Sequence, residues 1–323
     1  MDKMRKIIEE VRDAGSIAIG GHIRPDGDCI GSVMGLYLYL KKMLPDTQID
    51  VYLEKPSEIF DCISHIGDLQ SDFDHVDMHK IYDVFIVLDC ADDRLGEVRP
   101  LYQNARKKIN IDHHISNPGC GDLRIVEPER SSTAELLYEL MEETAVDAET
   151  AKALYIGIIH DTGVLRYSNT SPRTLQIVAE LIKFGFDFSE LIQKTFYEKT
   201  YVQTQIMGRA ILESVRFMHD RCIVSMVSRR MMEFYQVTQK DLDGIVNHLL
   251  AVKGVDCAIF MYETGTLEYK ISMRSNGQVD VASVAMRFGG GGHVRAAGCT
   301  MNGTYHDNIN NLAIWIAEQL DIE

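Results

Sequence analysis

The stretches DVFIVLDCAD (residues 83–92) and KKINIDHH (residues 107–114) decide the fold. Both are short apolar runs that close on acidic or imidazole side chains. Their β-branched and aromatic residues follow one another with little polar alternation, the pattern of strands buried on both faces. Working outward, SIAIG (16–20) and IDVYLE (49–54) read as two more strands. Helical periods lie between and after them, over 31–43, 131–144, 148–160, 172–184, 188–199 and 201–215. In SSTAELLYELMEET (131–144), Ser and Thr precede the apolar period and Glu135 is placed for a capping box. The N-terminal MDKMRKIIEEVRDAG carries charges through its apolar positions, so it reads as an amphipathic helix and not a signal peptide. Strands alternating with helices predict an α/β domain with a mostly parallel sheet flanked by helices. In such sheets chemistry gathers in the loops past the carboxyl ends of the strands.

From about residue 216 the pattern changes. RCIVSMVS (221–228), DCAIFMYE (256–263) and LEYKISMRS (267–275) read as strands, ETGT (263–266) as a hairpin turn, and 239–252, 280–287 and 307–320 as helices. This predicts a smaller C-terminal α/β domain with a mixed sheet. The expected organisation is a first domain over 1–186, a helical linker over 187–215 and a second domain over 216–323. The runs MMEFY and AIFMYE read as core and not as base-stacking surfaces.

Composition narrows the function. Hydrophobic residues are 46% and charged residues 25%, as in soluble globular proteins. Against 33 basic residues stand 48 acidic ones, a net charge of −15. That excludes a basic coat gripping long duplex nucleic acid by counterion release. It leaves room for small nucleotide substrates and for acidic clusters that hold cations. Residues 1–215 carry 36 acidic and 23 basic side chains, and residues 216–323 carry 12 and 10. The first part therefore suits a metal-loaded pocket and the second a bound anion. Seven scattered cysteines without C-x-x-C spacing argue against a disulfide framework or zinc ribbon and point to a reducing cytoplasm. No apolar run reaches about 18 residues, so no membrane span is expected.

Four places combine carboxylates and imidazoles at the end of an apolar segment: His22, Asp26 and Asp28 in GHIRPDGD; Asp89 in VFIVLDC; Asp112, His113 and His114 in INIDHH; and Asp161 in LYIGIIHD. Taken singly, an Asp at such an end is a cap or turn residue and a His pair a surface feature. Taken together they form a set. So many carboxylates around one crevice repel one another unless counter-charge is supplied, and two divalent cations supply it. Hard carboxylates with some imidazole suit Mn²⁺ best, with Mg²⁺, Co²⁺ or Zn²⁺ as alternatives.

HIRPDGD, LDCAD, IDHH and HDTG, in this order, resemble the four motifs of the DHH phosphoesterase superfamily. MRSNG (273–277) and GGGGHVRAAG (289–298) resemble its DHHA1 substrate domain. Length and motif wording are similar to the RecJ-like NrnA (nanoRNase) group of bifunctional oligoribonucleases and 3′-phosphoadenosine 5′-phosphate (pAp) phosphatases. The resemblance implies a DHH catalytic domain, a helical linker and a DHHA1 domain. It implies that His22, Asp26 and Asp89 hold one metal, and that Asp28, Asp89, His113 and Asp161 hold the other, with Asp89 bridging. His114 is then an outer-shell or catalytic imidazole facing the scissile phosphate, and Asp112 orients His113 or the loop from outside the metal shell. The sequence departs from the resemblance at His160, read as a plain helix-end histidine with an outer-shell role as the alternative.

Glycine permits close backbone approach, so the glycine run can form an anion-binding nest. Arg274, Ser275, Gly290, Gly291, Gly292, His293 and Arg295 match residues that bind the substrate's phosphate and nucleotide in the DHHA1 family. The implied activity is a di-metal exoribonuclease and phosphatase, a hydrolase that cuts short oligoribonucleotides to mononucleotides and pAp to AMP. Partners are then short RNA or nucleotide bisphosphates, with no membrane and no long duplex; a homodimer is compatible with such an enzyme. Alternatives are a cyclic di-AMP or pApA phosphodiesterase, an exopolyphosphatase or pyrophosphatase of the same superfamily, and a non-catalytic nucleotide sensor.

Overall fold

The computed structural model describes residues 6–321. Its contacts divide the chain into two compact units, Met1–Glu198 and Lys199–Glu323. No helix among the described residues is long and apolar enough to cross a membrane.

The first unit is built on five parallel strands: β1 (Ser16–Gly20), β2 (Gln48–Tyr52), β3 (Val84–Leu88), β4 (Lys107–Asp112) and β5 (Leu123–Val126), in the order β2-β1-β3-β4-β5. Alternate side chains enter two different cores. Ile17, Ile19, Val84, Ile86 and Leu88 pack into one. Ala18, Phe85 and Val87 pack into the other, with Tyr52, Tyr82 and Tyr102. Burial on both faces explains the unbroken apolar runs that marked these strands. The helices are α1 (Ile7–Val11), α2 (Gly27–Met43), α3 (Arg99–Asn104), α4 (Thr133–Leu140), α5 (Ala148–Asp161), α6 (Pro172–Ile182) and α7 (Phe188–Ile192), the last running into a π-helical turn, Gln193–Tyr197.

The second unit holds α8 (Tyr201–Leu212), β6 (Val215–Phe217), β7 (Cys222–Val227), α9 (Arg229–Tyr235), α10 (Ile245–Leu250), β8 (Cys257–Gly265), β9 (Glu268–Ser275), α11 (Val281–Met286), β10 (Gly291–His293), β11 (Ala296–Asn302) and α12 (Tyr305–Leu320). Its sheet is mixed, in the order β10-β11-β9-β8-β7-β6, with β7 and β8 parallel and the other pairs antiparallel. Cys257, Ile259 and Met261 face one core, Ala258 and Phe260 the other. Ile206 and Ala210 of α8 belong to that second core.

Several expectations shift. The helix read over 31–43 starts at Gly27, because Asp26 caps it and the apolar period begins only afterwards. The helix read over 239–252 is a 3₁₀ turn and α10, separated at Gly244, whose φ is +88°. β8 runs on through Gly265, so the hairpin turns at Thr266–Leu267 and not within ETGT. Of the two Met/aromatic runs, AIFMYE is largely core, but MMEFY is not: α9 buries none of its residues fully, and Phe234 is 79% exposed. Strands β5, β6, β10 and β11 and helices α3 and α9 had no expectation attached. The N-terminal helix is seen over Ile7–Val11, and Met1–Arg5 lie outside the described residues.

Candidate metal centre

In a parallel sheet of this strand order, the connections leave β1 and β3 in opposite directions and open a crevice between their carboxyl ends. His22 lies just past β1, Asp89 just past β3, and His113 and His114 just past β4. Two helices bring the remaining carboxylates. Asp28 sits in the first turn of α2, and Asp161 ends α5. These helices approach closely because both carry glycine at the crossing. A Cβ on Gly31 would stand 2.6 Å from the Ala153 carbonyl oxygen, and one on Gly157 would stand 2.9 Å from Asp28 Oδ1.

Hydrogen bonds fix each acid. Asp26 Oδ1 accepts the Asp28 and Cys29 N–H groups, both at 3.1 Å, and so caps α2. Asp28 accepts the Thr133 N–H (2.7 Å) and the Ala134 N–H (3.0 Å) at the start of α4, and the Ser32 hydroxyl (3.2 Å). Asp89 adopts a left-handed backbone, φ +61°, uncommon for a residue with a side chain and concentrated at functional sites. Its Oδ1 accepts the Thr133 hydroxyl at 2.9 Å. Asn169 Nδ2 donates to Asp161 Oδ2 at 3.3 Å.

The histidines are oriented from behind. His22 Nδ1 meets the Ile23 carbonyl at 2.9 Å, and His113 Nδ1 meets the Arg130 carbonyl at 3.3 Å. A carbonyl only accepts, so each Nδ1 carries a proton and each Nε2 is the nitrogen left facing the carboxylates, where it would present its lone pair to a bound metal. His22 Nε2 faces Asp89 Oδ2 at 3.4 Å and Asp26 Oδ1 at 3.7 Å. His113 Nε2 faces Asp161 Oδ2 at 3.5 Å and Asp28 Oδ2 and Asp89 Oδ1 at 3.8 Å, is buried, and has no hydrogen-bond partner among the described residues.

A lone pair held against three carboxylate oxygens at these distances is repulsive unless a cation lies between them. Atoms bound at about 2.1 Å to one cation stand about 3 to 3.5 Å apart, close to the gaps observed. The donor set therefore fits a divalent metal. Burial holds Asp28, Asp89 and Asp161 above the ordinary carboxylate range, and neighbouring carboxylates reinforce it. Burial also works against charge on His22, but Asp26 and Cys29 outweigh it and raise the imidazole to about 11.

The Asp-His-His turn has its own support. Asp112, fully buried, accepts the His113 and His114 N–H groups (2.7 and 3.0 Å) and His114 Nδ1 (2.8 Å) on Oδ1. Asn117 Nδ2 donates to its Oδ2 at 2.5 Å and to Asn110 Oδ1 at 3.1 Å. Asn110 in turn donates to the Cys90 carbonyl at 2.8 Å, directly after Asp89. Burial pushes Asp112 up, and the His114 and Asn117 donors more than offset this and leave it lowered.

All the expected first-unit residues thus surround the crevice, but not in equal degree. Among the described residues, three clusters have ligand atoms within 4.8 Å of one another: Asp28, His113 and Asp161; His22, Cys29 and Asp89; and Asp89, Asp112, His113 and His114. Asp26 has its side chain 66% exposed, and the third atom beside His22 and Asp89 is the buried Cys29 sulfur. Sequence reasoning missed Cys29, Asn110, Asn117, Thr133 and Asn169. Asn110, a polar residue inside an apolar strand, was the visible signal. Glu135 does not complete the expected capping box. Ser132 accepts its N–H at 3.0 Å, but its carboxylate takes the Ser131 and Thr174 hydroxyls at 2.5 and 2.7 Å. His160 is packed between Phe60 and Phe196, its Nε2 3.0 Å from the Thr195 hydroxyl, and burial lowers it to about 4.

In the second unit, the residues expected to meet substrate gather at one end of the sheet edge. The glycine run is largely strand: Gly291–His293 is edge strand β10, and His293 pairs with Ala296, which pairs with Arg274 across β11 and β9. A Cβ on Gly290 would stand 2.2 Å from the Gly298 carbonyl and one on Gly292, φ +143°, 2.4 Å from the Ala296 carbonyl, so the glycines serve close strand packing. Arg295 lies with its guanidinium against Gly277. Ser275, buried, accepts the Gly277 and Val279 N–H groups at 2.9 and 3.2 Å and shapes the turn after β9. Arg274 donates to the Met273 carbonyl at 3.0 Å.

Residues 16–158 match the DHH family, N-terminal domain, and residues 219–319 match the DHHA1 domain. A Thermus thermophilus protein named bifunctional oligoribonuclease and PAP phosphatase NrnA is 31% identical over 94% of this chain and 89% of its own. The chain belongs to the DHH family. A Bacillus subtilis protein of the same name is 28% identical over 88% of this chain and 89% of its own. The crystal structure of an exopolyphosphatase-related protein from Bacteroides fragilis superposes with a TM-score of 0.88 at 26% identity, covering 95% of this chain and 93% of that one. As a DHH-family member with DHHA1, the chain is a hydrolase of phosphoester bonds.

Proposed function

We propose that this DHH-family hydrolase uses two divalent cations, manganese foremost, to cut short oligoribonucleotides to mononucleotides and pAp to AMP. The observation that carries the reading is His113 Nε2, buried, partnerless and aimed at Asp28, Asp89 and Asp161. These four residues would hold one ion, and His22, Asp26 and Asp89 the other, with Cys29 sulfur beside them. Bound there, such ions lower the pKa of a coordinated water and neutralise phosphoryl oxygens.

The chain's own residues do the rest. Asp89 presents Oδ2 to His22 and Oδ1 to His113, so one carboxylate addresses both sides. Asp112 takes up Nδ1 of His114, so His114 acts on the substrate through Nε2. From there it steadies the phosphoryl oxygens or gives a proton to the leaving ribose oxygen. Arg274, His293 and Arg295, with the Gly290–Gly292 backbone and the turn set by Ser275, supply charge and N–H donors of the kind that bind a nucleotide phosphate. The net charge of −15 favours short substrates over long duplex.

The test is a substrate panel with added Mn²⁺ and product identification: di- to pentaribonucleotides, pAp, pApA, cyclic di-AMP and polyphosphate. Mononucleotides from short RNA and AMP from pAp are expected, with Asp89→Ala inactive. Turnover of polyphosphate or cyclic di-AMP alone would overturn the substrate reading.

A further inference from the structure

Thr133 touches two of the carboxylates at once. Its N–H donates to Asp28 Oδ2 at 2.7 Å and its hydroxyl to Asp89 Oδ1 at 2.9 Å, and the residue is fully buried. Helix capping does not need that hydroxyl: the cap of α4 is Ser132, whose oxygen accepts the Glu135 N–H. The Thr133 hydroxyl gives the Asp89 carboxylate a short hydrogen bond from a side chain that is not itself an expected metal ligand. The imidazoles of His22, His113 and His114 stand farther off, at 3.4 to 3.8 Å.

The two oxygens of Asp89 are not equivalent. Oδ2 faces His22, while Oδ1 faces His113 and His114. An Asp side chain turns about its last torsion in a broad, nearly two-fold well, so packing alone defines its plane poorly. A directional hydrogen bond on one oxygen sets that plane.

We propose that Thr133 is a positioning residue: its hydroxyl fixes the rotation of Asp89 that lets one oxygen serve each ion of the pair. The inference rests on the di-metal reading above. Outer groups that aim a metal ligand are typically worth about 10- to 100-fold in affinity or activity.

The experiment titrates Mn²⁺ into the metal-free protein, follows binding by calorimetry, and records electron paramagnetic resonance of the loaded protein. A carboxylate bridge gives an exchange-coupled pair, and two unbridged ions give separate signals. Thr133→Val keeps the shape and removes the donor, and Thr133→Ser keeps the donor. Wild type and Thr133→Ser should show the coupled spectrum. Thr133→Val should lose it, bind its second ion at least about tenfold more weakly, and lose kcat about 10- to 100-fold with KM within about twofold. Thr133→Ala, smaller and able to keep the N–H bond to Asp28, carries the same expectation should the valine protein not fold by circular dichroism. A valine or alanine variant with the wild-type spectrum and second-ion affinity overturns the role of Thr133. A wild type that binds no coupled pair overturns the di-metal reading itself, a separately visible outcome.

Discussion

His113 holds its Nε2 lone pair 3.5 Å from Asp161 Oδ2 while its other ring nitrogen is committed to the Arg130 carbonyl. Two acceptors facing each other at that distance need a cation between them. His113→Ala should therefore cost one of two Mn²⁺ equivalents in calorimetry and lower turnover by at least about 100-fold. A chelator should abolish wild-type turnover and Mn²⁺ restore it. Full stoichiometry in the variant would contradict the assignment.

Asn117 bridges Asp112 and Asn110, and so ties the Asp-His-His turn to the backbone that follows Asp89. Asn117→Ala should lower kcat about 10- to 100-fold with KM nearly unchanged, because His114 loses its fixed support. Asn110→Ala leaves the Cys120 N–H, a donor to Asn110 Oδ1, without its acceptor. It should cost about 1–3 kcal/mol in urea unfolding. Activity unaffected in Asn117→Ala would mean that the turn holds itself.

Gly157 has no room for a methyl group: a Cβ there would lie 2.6 Å from Ala134 Cβ and 2.9 Å from Asp28 Oδ1. Gly157→Ala should lose about 1–3 kcal/mol of stability by overpacking and weaken metal binding together with it. Calorimetry and thermal melting on the same samples check this. Loss of stability without loss of metal affinity would show that Asp28 is unaffected by the crossing.

His160 is placed for packing. His160→Ala should lower the melting temperature, since it removes a ring from between Phe60 and Phe196 and the partner of Thr195. The metal stoichiometry should stay at the wild-type value. A lost metal equivalent would make it a ligand after all.

Arg274→Ala should raise KM for pAp about tenfold with kcat within about twofold, as expected for a charge-assisted phosphate contact made equally in ground and transition states. A fall in kcat at unchanged KM would place Arg274 in the chemistry.

The sequence displayed the first unit well because its central strands are buried on both faces, which leaves an apolar run where half-exposed strands leave only alternation. The candidate ligands were legible for the same reason: Asp89 and His113 interrupt or end such runs abruptly. β10 and β11 were not legible. Gly291–His293 pairs through backbone alone, and no side-chain pattern announces a strand made of glycine. Cys29 was read only as one of seven scattered thiols, since nothing in GHIRPDGDCIGS tells which side of α2 will face His22. Thr133 was read only as part of the Ser-Thr opening of a helix with Glu135 placed for a capping box, a pattern that says nothing of a carboxylate beyond the helix. The fold shows that its hydroxyl reaches Asp89.

The crevice at the ends of β1 and β3 draws its imidazoles and carboxylates from His22 through Asp161, across nearly the whole first unit. No local fragment can assemble it. A nascent or nicked chain carries the same aspartates, but scattered in water where they hold ions weakly. On the di-metal reading proposed above, tight uptake of divalent metal would gauge completed folding, and hydrolysis would switch on only once α5 has docked.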